Sequence, residues 1–375
     1  MKIAKFFALL CAAATFAVGC EESSNKIEVP APDPNATLEI KVNAERITIG
    51  QEIKFTVLMD GVDVTAGEGL AIYDASNYDQ VSNPFTPTEV RDYDFYAMYG
   101  PLVTEEHALV TVQPIMSELP EDPQPESTKF NHRILLIDHT GSGCVYCPEM
   151  MDVLKELSMT VYHDRYNEVA AHYGGLAARD NAKSDAAAIV AGNIAASVSG
   201  FPSLTFNLRY PRTASRSLSV IKSNIDNLWN AEGADAGIAA VTTVGDQKVI
   251  VDIEVKSAVE QEYRVAAWLL EDNIYSKQTG ASEEWHNYAM NAIRNITGYN
   301  GANDLSGDSL GVIKVGEKAV KRLELDVLSN DWVIDNMKVL VIVSAASEDY
   351  HGKFELVNTA VCPIRGAVEY EYLAE

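Results

Sequence analysis

Residues 133–161 read RILLIDHTGSGCVYCPEMMDVLKELSMTV, and this stretch decides the fold of the chain around it. The apolar run 134–137 is typical of a strand buried in a parallel sheet. After a Gly-rich turn that carries Cys144 and Cys147, apolar residues recur at the spacing of one α-helix face. These helix-face positions are Met150, Leu154, Leu157 and Val161. The stretch therefore predicts a strand, a turn with two cysteines and an amphipathic helix.

The two cysteines are predicted to lie at the start of this helix, with Cys144 nearer its tip. Unpaired backbone N–H groups and the positive end of the helix dipole stabilise a thiolate there. Such a pair can exchange its disulfide with a partner, Cys144 attacking and Cys147 resolving. The alternatives are a purely structural disulfide and half of a zinc site. Zinc is disfavoured because no second Cys or His pair follows, so we predict no metal.

At these residues the stretch resembles thioredoxin. The family pattern is an apolar strand, an acidic residue six positions before the first cysteine, CxxC and a helix. Asp138 holds the acidic position, and the resemblance implies that it is buried and relays protons to the resolving thiol; a solvated acid at a strand end is the alternative. The family also places a cis-proline opposite the disulfide, and residues 200–203, GFPS, match that feature at Pro202. The implied catalytic residues are Cys144, Cys147, Asp138 and Pro202.

The turn departs from the family pattern in two places. Gly143 replaces the usual tryptophan, and the dipeptide between the cysteines is Val-Tyr, so the redox potential stays open. We predict that Tyr146, Phe201 and His139 contact an extended polypeptide substrate. His139 is also predicted to tune the thiolate, because a nearby imidazolium lowers the pKa of a thiol. A histidine that merely neighbours the site is the alternative.

Residues 1–19 form a predicted signal peptide, with two lysines before an apolar core. Cys20 follows Ala-Val-Gly, which resembles the lipobox of bacterial lipoproteins. The resemblance implies cleavage before Cys20 and its acylation, and several acyl chains make membrane anchoring effectively permanent. An ordinary signal peptide cut at a small residue is the alternative. The two acids after Cys20 resemble the export signal of Bacteroidetes surface lipoproteins, so we predict an outer-membrane lipoprotein on the periplasmic side or the cell surface.

Composition narrows the possible partners. The 29 basic and 54 acidic residues give a net charge of −25, which argues against nucleic acid or anionic lipid as a partner. Past the signal, no apolar run approaches the length of a membrane span. The predicted export places the chain outside the cytosol, where disulfides persist. We recognise no cofactor motif and predict no cofactor.

The mature chain divides into segments, which together predict a multidomain α+β protein. Residues 20–35 are polar and Pro-rich, which predicts a tether, and 36–116 alternate like the strands of an immunoglobulin-like β-sandwich. Residues 117–128 have three prolines and four acids, which predict a semi-rigid linker. Residues 129–232 follow the element order of a thioredoxin-like α/β domain. Residues 233–375 return to strands, which predict an antiparallel β-sandwich.

The C-terminal part carries a second resemblance. Residues 286–298, HNYAMNAIRNITG, lie after the thioredoxin-like elements and before the final strands, and this order resembles the Omp-twenty-eight-related outer-membrane protein family of Bacteroidetes. His286 and Arg294 of this segment either bind an anion or fix the loop by hydrogen bonds, and the second is favoured. Cys362 has no partner once the other pair closes, and we predict a buried, inert thiol, with an intermolecular disulfide as the alternative.

Two functions follow from these features. In the first, the chain is a lipid-anchored thiol–disulfide oxidoreductase that acts on protein thiols and disulfides outside the cytosol. In the second, the thioredoxin-like domain is a non-catalytic binding or structural scaffold in a cell-surface complex. The first is favoured because a structural disulfide requires neither the upstream acid nor the facing proline.

Overall fold

The computed structural model describes residues 29–113, 115–194, 200–208, 212–245, 247–301, 304–347 and 353–374. The predicted signal peptide, Cys20 and the first part of the predicted tether lie outside these residues. The chain forms two compact units, Met1–Val112 and Gln113–Glu375. In the described part of the chain, no helix has both the length and the apolar character needed to cross a bilayer.

The first unit is built from antiparallel strands. Its strands are β1 (Leu38–Val42), β2 (Arg46–Thr48), β3 (Phe55–Met59), β4 (Val62–Asp63), β5 (Leu70–Asp74), β6 (Asp79–Val81), β7 (Asp92–Tyr99), β8 (Leu102–Val103) and β9 (Ala108–Gln113). One sheet has the order β1-β3-β4, and another the order β2-β9-β7-β5-β6 with β8 beside β7. Alternate residues of β3 and β7 are buried and share one core, as the period-two pattern predicts. An immunoglobulin-like identity for this unit stays a prediction.

The second unit combines strands with helices on a large mixed sheet. Its helices are α1 (Cys147–Ser158), α2 (Asp185–Asn193) and α3 (Leu218–Leu228). Its first strands are β10 (Ile134–Thr140), β11 (Tyr166–His172), β12 (Ser203–Phe206), β13 (Arg212–Thr213), β14 (Ala236–Gly245), β15 (Lys248–Ser257), β16 (Gln261–Glu271) and β17 (Ile274–Tyr275). The later strands are β18 (Tyr288–Ala289), β19 (Ala292–Ile296), β20 (Asp308–Ile313), β21 (Lys318–Asp326), β22 (Met337–Ser347), β23 (Lys353–Pro363) and β24 (Ala367–Val368).

One sheet runs through both the predicted thioredoxin-like domain and the predicted C-terminal domain. Its order is β13-β12-β10-β11-β19-β16-β22-β23, with β20 beside β16. β10 and β11 are parallel, and β11 pairs with β19 at Ala170 and Ala292. The predicted boundary between residues 232 and 233 therefore lies within one compact unit. The several sheets and the helices agree with the multidomain α+β class, while the individual domain boundaries stay predictions.

β10 is buried on both faces, which explains its continuous apolar run. Ile134 and Leu136 pack against α1 and α3 on one face. Leu135 and Ile137 pack against α2 on the other face. Each of these side chains stabilises the fold by roughly 1.5–3 kcal/mol through burial. The strand that leads to the two cysteines is thus held in the middle of the unit.

Two predictions about element boundaries need correction or detail. The helix after the cysteines ends at Ser158, so Val161 does not belong to its apolar face. Val161 instead begins a short 3₁₀ helix, Val161–Arg165, and its side chain is exposed.

The predicted linker 117–128 is fixed to the second unit through Asp122. The Asp122 carboxylate accepts hydrogen bonds from the buried Lys256 ammonium (2.9 Å) and from the Tyr372 hydroxyl (2.6 Å).

Candidate active site at the Cys144–Cys147 disulfide

Cys144 and Cys147 form a disulfide at the start of α1. Cys147 is the first residue of the helix and Pro148 the second, where a proline removes no intrahelical hydrogen bond. The Cys144 side chain lies just before the helix and is only 3% exposed, and Cys147 is fully buried. Between them, Val145 and Tyr146 are exposed by more than half. The outer surface of the site is therefore the Val-Tyr dipeptide rather than a sulfur atom.

Gly143, which replaces the family tryptophan, has a steric explanation. Its N–H donates to the Leu176 carbonyl at 2.7 Å, so the turn before the cysteines pairs with the segment after β11. A Cβ atom at position 143 would lie only 2.7 Å from the same carbonyl oxygen. Any larger side chain at this position would push the two segments apart.

A segment 134 residues away in sequence covers the turn from another side. The Gln278 side chain is buried and its Nε2 donates to the Cys144 carbonyl at 2.8 Å. The Thr279 N–H donates to the Ser142 carbonyl at 2.7 Å, and the backbone at Gly280 approaches Val145 so closely that a Cβ would lie 2.5 Å from its carbonyl oxygen. The sequence carries no local signal for these contacts, because they join residues that are distant along the chain.

Asp138 is buried near the end of β10, as the resemblance implies. Its side chain is 4% exposed, so the alternative of a solvated acid is wrong. Its Oδ1 atom has no hydrogen-bond partner among the described residues. Burial raises the pKa of this carboxyl well above its ordinary value of 3.8, and the nearby charge of Glu168 raises it further. Asp138 is thus suited to hold a proton near neutral pH; its predicted role as a relay stays a prediction.

Behind Asp138 lies a cavity of about 330 Å³. Its walls come mainly from β10, β11, α1 and the excursion 276–291, and they combine apolar side chains such as Leu154 and Met290 with polar ones such as Thr140 and His172. Glu168 of β11 also lines it, and burial raises the pKa of this carboxyl to about 7, partly offset by Lys338. Two carboxyls with raised pKa values therefore face one cavity next to the strand that leads to the disulfide.

The environment of His139 does not fit the role predicted for this residue. The ring is fully buried, and its Nε2 atom lies 2.8 Å from the Thr205 hydroxyl on β12. The Tyr173 hydroxyl lies 3.4 Å from the Nδ1 atom. Burial lowers the pKa of His139 to about 4, with a smaller contribution from Arg212. The expectation of an imidazolium beside the thiols is therefore wrong, and a fully buried ring offers no surface to a substrate.

Phe201 and Pro202 lie beside the end of β10. The peptide bond between them is cis, as the family pattern implies. Ser203, the next residue, pairs with His139 across the β10–β12 ladder, which places Pro202 next to the beginning of the cysteine turn. The partly buried Phe201 ring packs against the Tyr173 ring at 4.9 Å. Contacts of Phe201, Pro202 and Tyr146 with a substrate stay predictions.

Asp180 is a site residue that sequence reasoning missed. Its carboxylate accepts hydrogen bonds from the Ser142 N–H (2.7 Å), from His172 Nδ1 (2.8 Å) and from the Ala182 N–H (2.9 Å). Burial acts to raise the pKa of Asp180, but these hydrogen bonds outweigh it and lower the pKa to about 2. Asp180 therefore anchors the cysteine turn as a charged group, although it follows Cys147 by 33 residues.

His286 and Arg294 are engaged in structural contacts. His286 is buried, its Nε2 lies 3.0 Å from the Asp152 carboxylate on α1, and its Nδ1 accepts from backbone N–H groups of its own loop. Arg294 Nε lies 2.8 Å from the Glu271 carboxylate. These contacts agree with the favoured interpretation that the two residues fix the segment 286–298 by hydrogen bonds. Cys362 is a free, fully buried thiol in β23, and burial raises its pKa to about 11, as expected for an inert cysteine.

Comparison with known proteins yields similarity of fold. No protein-family model matches the chain, and no curated protein does. The structure is similar to HBP35 of Porphyromonas gingivalis, with a TM-score of 0.50, 17% sequence identity, and coverage of 66% of this chain and 79% of that one. A protein of Agrobacterium tumefaciens matches with a TM-score of 0.40 and 12% identity over 62% of this chain and 95% of its own. The second match is too distant to carry an argument, and the first supports the fold alone.

Proposed function

We propose that this chain is a thiol–disulfide oxidoreductase of the extracytoplasmic space, in which Cys144 and Cys147 exchange their disulfide with polypeptide thiols. The observation that carries the proposal is the buried Asp138 carboxyl, which has a raised pKa and an oxygen without a hydrogen-bond partner among the described residues. A structural disulfide gains nothing from such a group, because burying an unpaired polar atom costs about 1–3 kcal/mol. Functional sites are where such costs are commonly found.

The exchange has a simple chemical form. A substrate thiolate attacks the Cys144 sulfur, the Cys144–Cys147 bond breaks, and Cys147 leaves as a thiolate. This thiolate forms in a fully buried position, so it needs a proton from a nearby group rather than from bulk water. Asp138 supplies that proton, and the reverse transfer activates Cys147 when it resolves the mixed disulfide. Pro202, Phe201 and Tyr146 border the path of the incoming polypeptide.

The proposed location follows from the sequence. The predicted signal peptide 1–19 and the lipobox at Cys20 support an outer-membrane lipoprotein, and the fold similarity to HBP35 of Porphyromonas gingivalis is compatible with a Bacteroidetes protein of the Omp-twenty-eight-related type. Metabolic labelling with an alkyne fatty acid tests the anchor in cells that express the full chain. Labelling of the wild type and its loss in the Cys20→Ala variant are expected; equal labelling of both would refute lipidation at this residue.

A redox titration tests the proposed activity. The chain that starts after Cys20 is equilibrated in glutathione buffers, and the fraction of Cys144–Cys147 disulfide is measured by mass spectrometry after alkylation. A midpoint between about −120 and −280 mV supports exchange and sets its direction. The buried thiol of Cys362 is an internal control, since it is expected to stay reduced. A disulfide that stays closed below about −300 mV would exclude an oxidoreductase role.

A second function, a non-catalytic binding scaffold, is favoured by the segment that covers the disulfide. Cys144 is only 3% exposed, and Gln278 and Thr279 bind the turn that carries it. In that case the disulfide stabilises the turn and the unit is a binding scaffold of a cell-surface complex. The same titration separates the two, because a structural disulfide is thermodynamically resistant to reduction by glutathione. Unfolding of the chain on reduction would further support the scaffold.

A further inference from the structure

A second carboxyl at the cavity behind the disulfide has no part in the mechanism described above. We propose that Glu168 is the group through which Asp138 exchanges its proton with solvent, across the cavity that the two side chains share. This inference rests on the proposed thiol–disulfide exchange and extends it. It assigns to Glu168 a positioning role that acts through Asp138 and not on the sulfur atoms.

The register of the sheet places the two carboxyls on one face. β10 and β11 are parallel, with Leu136 opposite Glu168 and Asp138 opposite Ala170. Paired residues of neighbouring strands point to the same face, and so do residues two apart on one strand. Asp138 and Glu168 are therefore diagonal neighbours, and both line the cavity of about 330 Å³. A space of this size has room for water molecules between two polar groups.

The two carboxyls differ in their access to solvent. Asp138 is buried, whereas Glu168 is partly exposed and makes no side-chain hydrogen bond to the described residues that would hold its proton in place. Cys147 is fully buried, so the proposed exchange needs an internal group to supply its proton, and Asp138 is the group that we assign to this role. Glu168 is the more exposed of the two carboxyls on this cavity, which is why we assign it as the connecting group.

The cations near the cavity are engaged elsewhere. The Lys155 ammonium of α1 lies 4.2 Å from the centre of the Trp285 ring. The Lys338 ammonium of β22 lies 2.6 Å from the Asp272 carboxylate. Lys338 still offsets part of the rise in the pKa of Glu168, and the charge of Glu168 raises the pKa of Asp138, so the protonation of Asp138 depends on Glu168.

The remaining titratable groups around the pair also have fixed partners or neutral forms. His172 is bonded to Asp180, and His286 to Asp152. The neighbouring phenols are Tyr166, Tyr173 and Tyr288. Burial raises the pKa values of Tyr166 and Tyr173, which keeps these two phenols protonated at neutral pH. Of the three carboxyls that line this cavity, Asp138 and Glu168 are the two that make no side-chain hydrogen bond to the described residues, since the third, Asp180, is bonded to His172.

A substrate thiolate forms a bond to the Cys144 sulfur, and the electron pair of the Cys144–Cys147 bond leaves with the Cys147 sulfur. The Cys147 thiolate takes the proton of the Asp138 carboxyl and becomes a thiol. The Asp138 carboxylate takes a proton from Glu168, and Glu168 takes one from water. When the enzyme is reoxidised, the protons move in the opposite direction.

The test is the pH–rate profile for reduction of the Cys144–Cys147 disulfide by dithiothreitol. Its variants are Glu168→Gln, Glu168→Asp and, as a control on an exposed carboxyl of α1, Glu156→Gln. We expect Glu168→Gln to slow the reaction by about tenfold or more near neutral pH, within the range of general acid–base catalysis, and to displace the profile. Glu168→Asp should recover part of the rate, and Glu156→Gln should match the wild type. A Glu168→Gln profile that coincides with the wild type within twofold would overturn the proposal.

Two further experiments complete the test. Chemical rescue separates loss of the carboxyl from misfolding of the variant, and a direct titration of Asp138 does not require that the disulfide reacts. In Glu168→Ala, added acetate should restore part of the rate, since a small carboxylic acid fits the vacated space. Should the wild-type disulfide not react with dithiothreitol at all, the oxidoreductase function fails, and carboxyl ¹³C NMR then decides the coupling. A fall in the pKa of Asp138 on Glu168→Gln supports the proton exchange, and an unchanged pKa refutes it.

Discussion

Replacing Glu168 by glutamine should flatten the dependence of stability on pH. Burial raises the pKa of Glu168 in the folded chain to about 7, against an ordinary value of 4.5. Between these values the folded state binds more protons than the unfolded state, so the free energy of unfolding of the wild type falls as pH rises. This loss of stability is absent below about pH 4.5, the pKa in the unfolded chain, and complete above about pH 7, the pKa in the folded chain. Glutamine does not titrate and escapes this loss.

The structure sets the size of the effect. The interval between the two pKa values corresponds to roughly 3 kcal/mol, at about 1.36 kcal/mol per pH unit. Because the carboxyl keeps partial contact with solvent, which screens its interactions, this is an upper limit. Between about pH 4 and pH 8, Glu168→Gln should therefore gain up to about 3 kcal/mol of stability relative to the wild type.

Urea unfolding followed by tryptophan fluorescence measures this difference. All four tryptophans lie in the second unit, so the signal reports the unit that contains Glu168. The free energy of unfolding is determined for the wild type, Glu168→Gln and the surface control Glu156→Gln at several pH values. A difference between wild type and Glu168→Gln that stays constant with pH would refute the environment assigned to this carboxyl. A pH-dependent difference for Glu156→Gln would show that the effect is not specific.

Three further predictions follow from single contacts. Gly143→Ala should lower the free energy of unfolding by about 1–3 kcal/mol, because the new Cβ atom would lie 2.7 Å from the Leu176 carbonyl oxygen. Gly175→Ala is the control: a Cβ atom there meets open space, so the loss in the same urea experiment should be much smaller. Lys256→Met should cost about 1.5–3 kcal/mol because it removes the hydrogen bond from the closer of the two lysines at the buried Asp122 carboxylate and leaves Lys318 at 3.4 Å. Lys248→Met, from an exposed pair, is the matched control, and equal losses would contradict this reasoning. Cys362 should react with Ellman's reagent only on unfolding, since burial raises its pKa to about 11, and rapid labelling of the folded chain would contradict this.

The part of the site that could be predicted from sequence is the part built from neighbouring residues. Strand β10, the cysteine turn and helix α1 follow one another directly, and their patterns of apolar residues reflect local geometry. Asp138 was predicted to be buried because a thioredoxin-like strand places that position under the cysteines. The end of α1 was placed too late, since Val161 has the right spacing but begins a separate 3₁₀ helix. Spacing alone does not show where a helix stops.

Contacts over long distances along the chain could not be predicted in the same way. Glu168, Asp180 and Gln278 reach the site from three separate segments, and none belongs to a motif of recognisable spacing. His139 illustrates the opposite error: its proximity in sequence suggested a charged neighbour of the thiols. The strand alternation turns its ring into the interior beside Thr205, where burial favours the neutral form.

The excursion 276–291 contacts the site at several places. The same segment closes the cavity behind Asp138 and binds the turn in front of it, through Gln278 at the Cys144 carbonyl and His286 at Asp152 of α1. It thereby contributes to the burial of the turn that carries Cys144. A substrate that approaches over Val145 and Tyr146 meets the disulfide from the opposite side. Under the proposed function, electron exchange and proton exchange would then use different faces of the site, so a carboxyl far from the sulfur atoms would influence the rate at which they react.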